Sequence, residues 1–178
     1  MKKILIISTS PRKGSNSEAL AEAFADGARS AGHEAEVVSL RGKDIRFCRG
    51  CFVCQEKLRC VIRDDVDALC QKALEADVLV FATPIYYYEM SGQMKTLLDR
   101  FNPLFPSDYA FRDVYLLTAA AEDETFVPQR ALSGLEGWVE CFERAKLAGH
   151  VFMGGVTEAG ESPAHPALEQ ARTMGQSV

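Results

Sequence analysis

Four of the six cysteines lie close together, at Cys48, Cys51, Cys54 and Cys60. Cysteine thiolates bind metal ions and iron-sulfur clusters, and the first three are evenly spaced, as in the run Cys-x2-Cys-x2-Cys of bacterial ferredoxins. Structural zinc sites usually have two cysteine pairs separated by a dozen residues or more. The spacing therefore favours a [4Fe-4S] cluster, with zinc and free or redox-active thiols as the alternatives.

The segment that carries these cysteines is basic, although the chain as a whole is acidic. Residues 41–63 contain seven Lys or Arg and two acids, a local charge of +5 in a chain whose net charge is -5. Four thiolates around an iron-sulfur core leave a negative charge that nearby cations compensate. The cations available for this are Arg46, Arg49, Lys57, Arg59 and Arg63. The acidic balance of the whole chain argues against general nucleic-acid binding.

A second candidate site lies in the hydroxyl-rich segment Ser8 to Ser17, between an apolar run and a predicted helix. A helix N-terminus offers unpaired N–H groups and the positive end of the helix dipole, and both attract phosphate. The segment has a single glycine, Gly14, so it matches neither the dinucleotide fingerprint nor the nucleoside-triphosphate loop. It predicts a site for a terminal monophosphate. The alternative is that these residues only cap the helix.

A third candidate site is aromatic and follows an unbroken apolar run that ends near Thr83. Three consecutive tyrosines at the end of a buried strand cannot all enter the core, because each hydroxyl needs a partner. Exposed rings beside the rigid Pro84 form a slot suited to a planar ligand. The alternative is that the tyrosines pack against a neighbouring subunit.

Five short apolar segments alternate with helical patterns along the 178 residues. This alternation predicts an α/β three-layer sandwich with a doubly wound, five-stranded parallel sheet in the flavodoxin-like order 2-1-3-4-5. One domain, residues 1–178, is expected, with a cysteine-rich insertion at about 41–63. We place Cys70 and Cys141 on helix faces in the core. The predicted strands are 3–8, 34–40, 77–83, 114–120 and 150–156, and the predicted helices are 16–31, 64–76, 91–101, part of 128–147, and 166–174.

The two binding segments, SPRKGSNSEAL and TPIYYYEMSGQMKTLLDRF, resemble those of the NADPH-dependent FMN reductases, a group of flavodoxin-like proteins. The resemblance covers the chain from Met1 to about Leu117, and the loop Thr118–Glu124 lacks the glycine that is common in the family. The cysteine segment resembles that of the iron-sulfur flavoproteins, a branch of the same family. The resemblance implies that FMN phosphate is held by Ser10, Arg12, Ser15, Asn16 and Ser17, that the isoalloxazine ring is held by Pro84, Ile85, Tyr86, Tyr87 and Tyr88, and that the cluster ligands are Cys48, Cys51, Cys54 and Cys60.

The resemblance also implies an enzyme that passes electrons from NAD(P)H through bound FMN to a small-molecule or protein acceptor. It implies no obligatory catalytic acid or base and a homodimer or homotetramer. The acidic net charge and the short apolar runs predict neither a nucleic-acid nor a membrane partner. The apolar runs are too short for a membrane helix, and a cytoplasmic location is expected. Two other functions stay open: a flavodoxin-like electron carrier without steady-state NAD(P)H oxidation, and a cysteine-based redox or metal sensor.

Overall fold

The structure is a computed structural model that describes residues 1–161 and 163–178. Strands and helices alternate along most of the chain, and a 3-10 turn at Asn102–Leu104 follows the fourth helix. The strands are β1 Lys3–Ser8, β2 Glu34–Ser39, β3 Val78–Tyr86, β4 Glu89–Met90, β5 Asp113–Ala119 and β6 Lys146–Met153. The helices are α1 Asn16–Ser30, α2 Val53–Lys57, α3 Val66–Glu75, α4 Gly92–Arg100, α5 Gln129–Val139 and α6 Pro166–Gln176.

Five of the strands are parallel and follow the order β2-β1-β3-β5-β6. Counted among the parallel strands alone, this is the predicted order 2-1-3-4-5, so the predicted fold class is confirmed. The sixth strand, β4, is a two-residue segment that pairs antiparallel with the end of β3. In a sheet of this topology, ligands bind beyond the carboxyl ends of the strands, where the strand order reverses.

Both faces of the sheet are covered, because successive residues of the central strands point to opposite sides. On β1, Ile4 and Ile6 pack against α1 and α6, whereas Leu5 and Ile7 face the cluster formed with α3, α4 and α5. Each such side chain contributes about 1.5 to 3 kcal/mol when it is fully buried. Within residues 1–161 and 163–178, no helix has the length and apolar character needed to cross a bilayer.

Several details differ from the sequence prediction, among them the helix α2 and the strand β4, which the sequence did not indicate. β6 begins at Lys146, earlier than predicted, because it is an edge strand whose alternating exposure hides it from a search for apolar runs. β3 continues to Tyr86, since its hairpin with β4 extends the hydrogen-bonded ladder. The core assignment of Cys141 was wrong: α5 ends at Val139, so Cys141 falls outside the helical repeat and is exposed. Cys70 is buried, as predicted.

A buried ion pair fastens the cysteine-rich insertion to the end of α4. The guanidinium of Arg100 donates from Nη1 to Asp64 Oδ2 at 2.6 Å and from Nη2 to Asp64 Oδ1 at 2.9 Å, and both side chains are 0% exposed. The same guanidinium donates to the carbonyls of Arg46 at 2.6 Å and Ile62 at 3.3 Å. One side chain therefore holds both ends of the insertion.

The carboxylate of this pair is kept charged by its neighbours. Burial alone would raise the pKa of Asp64, but hydrogen bonds from Arg100 and from the backbone N–H groups of Arg46 and Val66 outweigh it and lower the pKa. A carboxyl group whose pKa is lower in the folded state stabilises the fold above its unfolded pKa, and that stabilisation is lost as the pH falls.

On the other face of the sheet, α1 and α6 approach so closely that only glycine fits at the crossing. A Cβ added at Gly175 would lie 2.1 Å from the carbonyl oxygen of Phe24, and one added at Gly27 would lie 2.0 Å from that of Arg172. Backbone atoms cannot move aside as a flexible side chain can, so these two glycines set the distance between the helices.

Replacement of Gly175 by alanine is expected to destabilise the protein by about 1 to 3 kcal/mol, the usual range for overpacking. Urea unfolding followed by circular dichroism measures this. The matched control is Gly137→Ala in α5, where an added Cβ meets no atom within 4 Å. That variant should be neutral or slightly more stable, because alanine is the better helix former. Equal stability of the two variants would contradict the close packing of α1 on α6.

Replacement of Asp64 by asparagine is expected to lower the free energy of unfolding at pH 7, by up to about 3 to 5 kcal/mol for a broken buried pair. The wild-type protein should lose stability as the pH falls below about 4, where Asp64 is protonated in the unfolded chain. The variant should lose less over the same range. Urea unfolding between pH 7 and pH 3 measures both effects.

The control for this prediction is Asp108→Asn, which removes a carboxylate from an exposed pair with Arg144. Exposed pairs contribute about 0 to 1 kcal/mol, so this variant should follow the wild-type pH dependence. A steep acid dependence that persists in Asp64→Asn would show that other carboxyl groups determine the acid stability.

Candidate functional site

The two loops predicted to bind a ligand start side by side at the carboxyl edge of the sheet, because Ser8 of β1 pairs with Ala82 of β3. Three buried hydroxyls then fix one loop against the other. Thr9 Oγ1 donates to the Ala82 carbonyl at 3.1 Å and lies 3.0 Å from Ser91 Oγ. Thr83 Oγ1 donates to Ser91 Oγ at 3.2 Å and accepts from Ser91 N–H at 3.0 Å. This network ties both loops to the start of α4.

The first loop contains a helix cap and further polar groups besides it. Ser15 is the N-cap of α1, and its Oγ accepts from the N–H of Glu18 at 3.2 Å. The Glu18 carboxylate in turn accepts from the N–H of Gly14 at 2.8 Å, and Gly14 has a positive φ of 63°. Two residues therefore complete the cap. Capping explains Ser15, but it does not explain the buried polar side chains of Ser10, Asn16 and Ser17.

A segment near the C-terminus, Thr157 to Glu161, lies against this first loop. Arg12 Nη1 donates to the Thr157 carbonyl at 2.9 Å, and Asn16 Nδ2 donates to the Glu158 carbonyl at 2.9 Å. The carboxylate of Glu161 accepts from the N–H groups of Thr157 and Glu158 and holds the segment in a turn. Two of the predicted phosphate donors thus already point at oxygen acceptors. No sequence motif marks this segment, so its contact with the first loop could not be predicted.

The second loop is a tight hairpin turn made of two tyrosines. Ile85 pairs with Met90 and Tyr86 with Glu89, which leaves Tyr87 and Tyr88 as the turn residues. Their φ angles are 51° and 66°, the sign that a two-residue type I′ turn requires and that Asn-Gly normally supplies. Tyr86 and Tyr87 are exposed, Tyr87 almost completely at 97%. Tyr88 is 36% exposed, so the prediction that some of these rings stay outside the core is confirmed for all three.

The remaining members of the second loop are placed differently. Pro84 and Ile85 belong to β3, and Pro84 is buried. Tyr88 is held in place by the segment after β5: its hydroxyl donates to Glu122 Oε1 at 3.1 Å, and its ring stacks on Phe126 with centroids 5.9 Å apart. The hydrogen bond to Glu122 raises the pKa of Tyr88. Three loops therefore converge at this edge of the sheet.

The four clustered cysteines line one cavity of about 590 Å³, away from the tyrosine turn. Cys48 and Cys51 are exposed, Cys60 is half-buried and Cys54 is buried. The walls are mostly apolar, and the thiol of Cys141 lies on the same cavity. The other wall residues include Phe52, Phe105, Trp138 and Phe142.

Three of these sulfurs accept hydrogen bonds from nearby N–H groups. Gly50 N–H donates to Cys48 Sγ at 3.4 Å, Ile62 N–H to Cys60 Sγ at 3.4 Å, and Asn102 Nδ2 to Cys54 Sγ at 3.0 Å. Such donors stabilise negative charge on sulfur. In residues 1–161 and 163–178, however, no three His, Cys, Asp or Glu side chains are gathered tightly enough to hold a single metal ion.

Comparison with known sequences places the chain in a family. The family model for NADPH-dependent FMN reductases matches residues 2–176. An iron-sulfur flavoprotein of Methanocaldococcus jannaschii is 38% identical over 102 residues, which are 57% of this chain and 53% of that protein. This chain therefore spans about half the length of that relative. An iron-sulfur flavoprotein of Methanosarcina thermophila is 28% identical over 156 residues, 87% of this chain and 82% of that one.

Comparison with solved structures supports the fold independently. The NAD(P)H:quinone oxidoreductase of Methanothermobacter marburgensis superimposes with a TM-score of 0.72, over 99% of this chain and 96% of that chain. The sequence identity is 18%, so this likeness concerns the fold alone. Because the sequence match extends over nearly the whole chain, this protein belongs to the NADPH-dependent FMN reductase family.

Proposed function

We propose that the protein is an NAD(P)H-dependent oxidoreductase that binds FMN where the loops after β1, β3 and β5 converge. The observation that carries the proposal is the buried network of Thr9, Thr83 and Ser91, which fixes a polar, phosphate-type loop beside an aromatic turn. FMN has the matching shape, a phosphate at one end and a flat ring at the other. Bound flavin supplies hydride-transfer chemistry, and the protein supplies binding and orientation.

The polar side chains of the first loop fit a phosphate group. Ser10, Ser15, Asn16 and Ser17 offer hydroxyl and amide donors, and Arg12 adds a cation. The N-terminus of α1 adds backbone N–H groups and the positive end of its dipole. Arg12 and Asn16 donate to the carbonyl oxygens of Thr157 and Glu158. When FMN binds, its phosphate oxygens would accept hydrogen bonds from the same two side chains in place of these carbonyls. The segment Thr157 to Glu161 then borders the site.

The aromatic turn fits the flavin ring. Pro84 and Ile85 contribute the end of β3, while the exposed rings of Tyr86 and Tyr87 provide apolar surface for stacking. Tyr88 is anchored by Glu122 and Phe126, so it provides a fixed wall. A rigid wall orients a bound ring at little cost in conformational entropy.

We further propose that Cys48, Cys51, Cys54 and Cys60 hold a [4Fe-4S] cluster. Each thiolate of such a cluster binds a different iron, so the four sulfurs must surround a volume, and a shared cavity of about 590 Å³ provides one. The N–H donors to Cys48, Cys54 and Cys60 suit thiolate ligands. A bound cluster would accept single electrons from reduced flavin.

The electron acceptor, a small molecule or a protein, is left open by this assignment. The exposed rings of Tyr87, Phe47 and Phe52 suit contact with a second copy of the chain, as a homodimer or homotetramer requires. A reducing compartment such as the cytoplasm would keep the thiols available as ligands.

The test of the flavin assignment is an anaerobic titration with NADPH. Protein reconstituted with FMN is expected to bleach its visible flavin absorption on addition of NADPH or NADH, and the colour should return with an acceptor. A protein that does not retain FMN on gel filtration would contradict the proposed site. Retention of FMN without bleaching by either nucleotide would instead support an electron carrier.

The control for this titration is a variant of Arg12, the proposed partner of the FMN phosphate. Arg12→Ala should weaken FMN binding roughly 10- to 100-fold, the loss of a hydrogen bond to a charged group. Its affinity for riboflavin, which has no phosphate, should stay at the wild-type value. Arg29→Ala, at the far end of α1, should change neither affinity.

The cluster assignment is tested by iron and acid-labile sulfide analysis of anaerobically reconstituted protein. Replacing any one of Cys48, Cys51, Cys54 or Cys60 by serine should reduce bound iron by at least half, because serine does not supply a thiolate. Cys141→Ser is the matched control, since this thiol lies on the same cavity but outside the proposed ligand set. Wild-type protein without iron would overturn the cluster while leaving the flavin assignment intact.

A further inference from the structure

Arg100 is the largest fully buried side chain of the protein among the described residues. Its two terminal nitrogens are fully engaged, by the Asp64 carboxylate and by the carbonyls of Arg46 and Ile62. Its third donor, Nε–H, has no acceptor within the described residues. A buried donor without a partner costs about 1 to 3 kcal/mol. All other donors of this guanidinium have partners, so a bound group that supplies an acceptor for Nε–H would explain the exception.

The backbone of Ile62 connects this guanidinium to one of the four clustered cysteines, Cys60. Cys60 lies on the cavity with the other three cysteines, and its sulfur already accepts from the N–H of Ile62. The carbonyl of Ile62 in turn accepts from Arg100. The guanidinium is thus built into the backbone on which Cys60 is presented.

We infer that Arg100 is a positioning residue of the cysteine site, whose guanidinium holds the insertion closed and whose Nε–H is reserved for the sulfur of metal-bound Cys60. The inference rests on the proposed cluster and names a residue outside its ligand set. Guanidinium suits this task because it is always charged and its donors have a fixed geometry. Lysine in its place would keep the positive charge but would lack the planar set of fixed donors.

The inference predicts effects of opposite sign on the reduction potential of the cysteine-bound iron. One-electron reduction adds one negative charge to the centre. A hydrogen bond to a ligand sulfur favours the reduced form, so losing that bond in Arg100→Lys should lower the potential. Asp64→Asn keeps the donor but removes the carboxylate that neutralises Arg100, so it should raise the potential. A purely structural role for the pair would not give opposite shifts.

The experiment is a redox titration of anaerobically reconstituted wild type, Arg100→Lys and Asp64→Asn, with iron content measured on each sample. A tenfold change in the ratio of reduced to oxidised protein corresponds to about 59 mV for a one-electron couple, and we expect shifts of about this size. If one variant does not fold, the other still tests the inference: a lower potential in Arg100→Lys or a higher one in Asp64→Asn supports it, and an unchanged potential or the opposite sign overturns it.

The control is Gly175→Ala, which lies between α1 and α6 on the opposite face of the sheet and lowers stability without touching the cavity. Its potential should equal that of the wild type. Unchanged potentials in both test variants, or shifts of the same sign that follow the loss of stability, would overturn the inference. Wild-type protein that takes up no iron would overturn the inference together with the cluster. Iron-loaded wild type with unshifted variants would overturn the inference alone.

Discussion

The fixed length of α4 is the constraint on which both candidate sites depend. At its start, Ser91 caps the helix through the N–H of Met94 and bonds to the hydroxyls that hold the two loops proposed to bind flavin. At its end, Arg100 holds both ends of the cysteine insertion. Between them the helix buries Met94, Leu97 and Leu98 against the sheet, so it cannot slide. Nine residues at about 1.5 Å each give a separation of roughly 14 Å along the helix. Neither site can move without the other.

The main role of the ion pair at the end of this helix is to hold the cysteine insertion in place, and its contribution to stability is secondary. Removing two charges from water is expensive, and a well-packed apolar pair of the same volume is often as stable as a buried salt bridge. An apolar pair, however, could not also hold the carbonyls of Arg46 and Ile62, which lie at opposite ends of the insertion. The guanidinium therefore turns a long loop, with few core residues of its own, into a wall of the cavity.

The sequence predicted the features that depend on residues close together in the chain, such as the central strands and the loops that follow them. The central strands β1, β3 and β5 are apolar runs. The topology of such sheets places the loops that follow them at one edge, so the polar loop and the tyrosines could be located from the sequence. The ion pair could not be predicted, because Asp64 and Arg100 are 36 positions apart and Asp64 resembles an ordinary helix start. The contact of Asn16 with Glu158 spans 142 positions. Cys141 was misplaced because the end of α5 carries no sequence signal.

Strained backbone conformations occur in the two segments that are proposed to bind cofactors. Within residues 1–161 and 163–178, four residues other than glycine have a positive φ: Phe52, Leu58, Tyr87 and Tyr88. The first two flank α2 on the cysteine insertion, and the other two form the aromatic turn. Each costs of the order of 1 to 3 kcal/mol, which persists only where the surrounding structure enforces it. Asn-Gly would form the turn without strain but would offer no ring. The hydrophobic clusters on the two faces of the sheet offset this cost. The strained turn presents aromatic side chains to solvent, where a ligand or a second subunit can cover them.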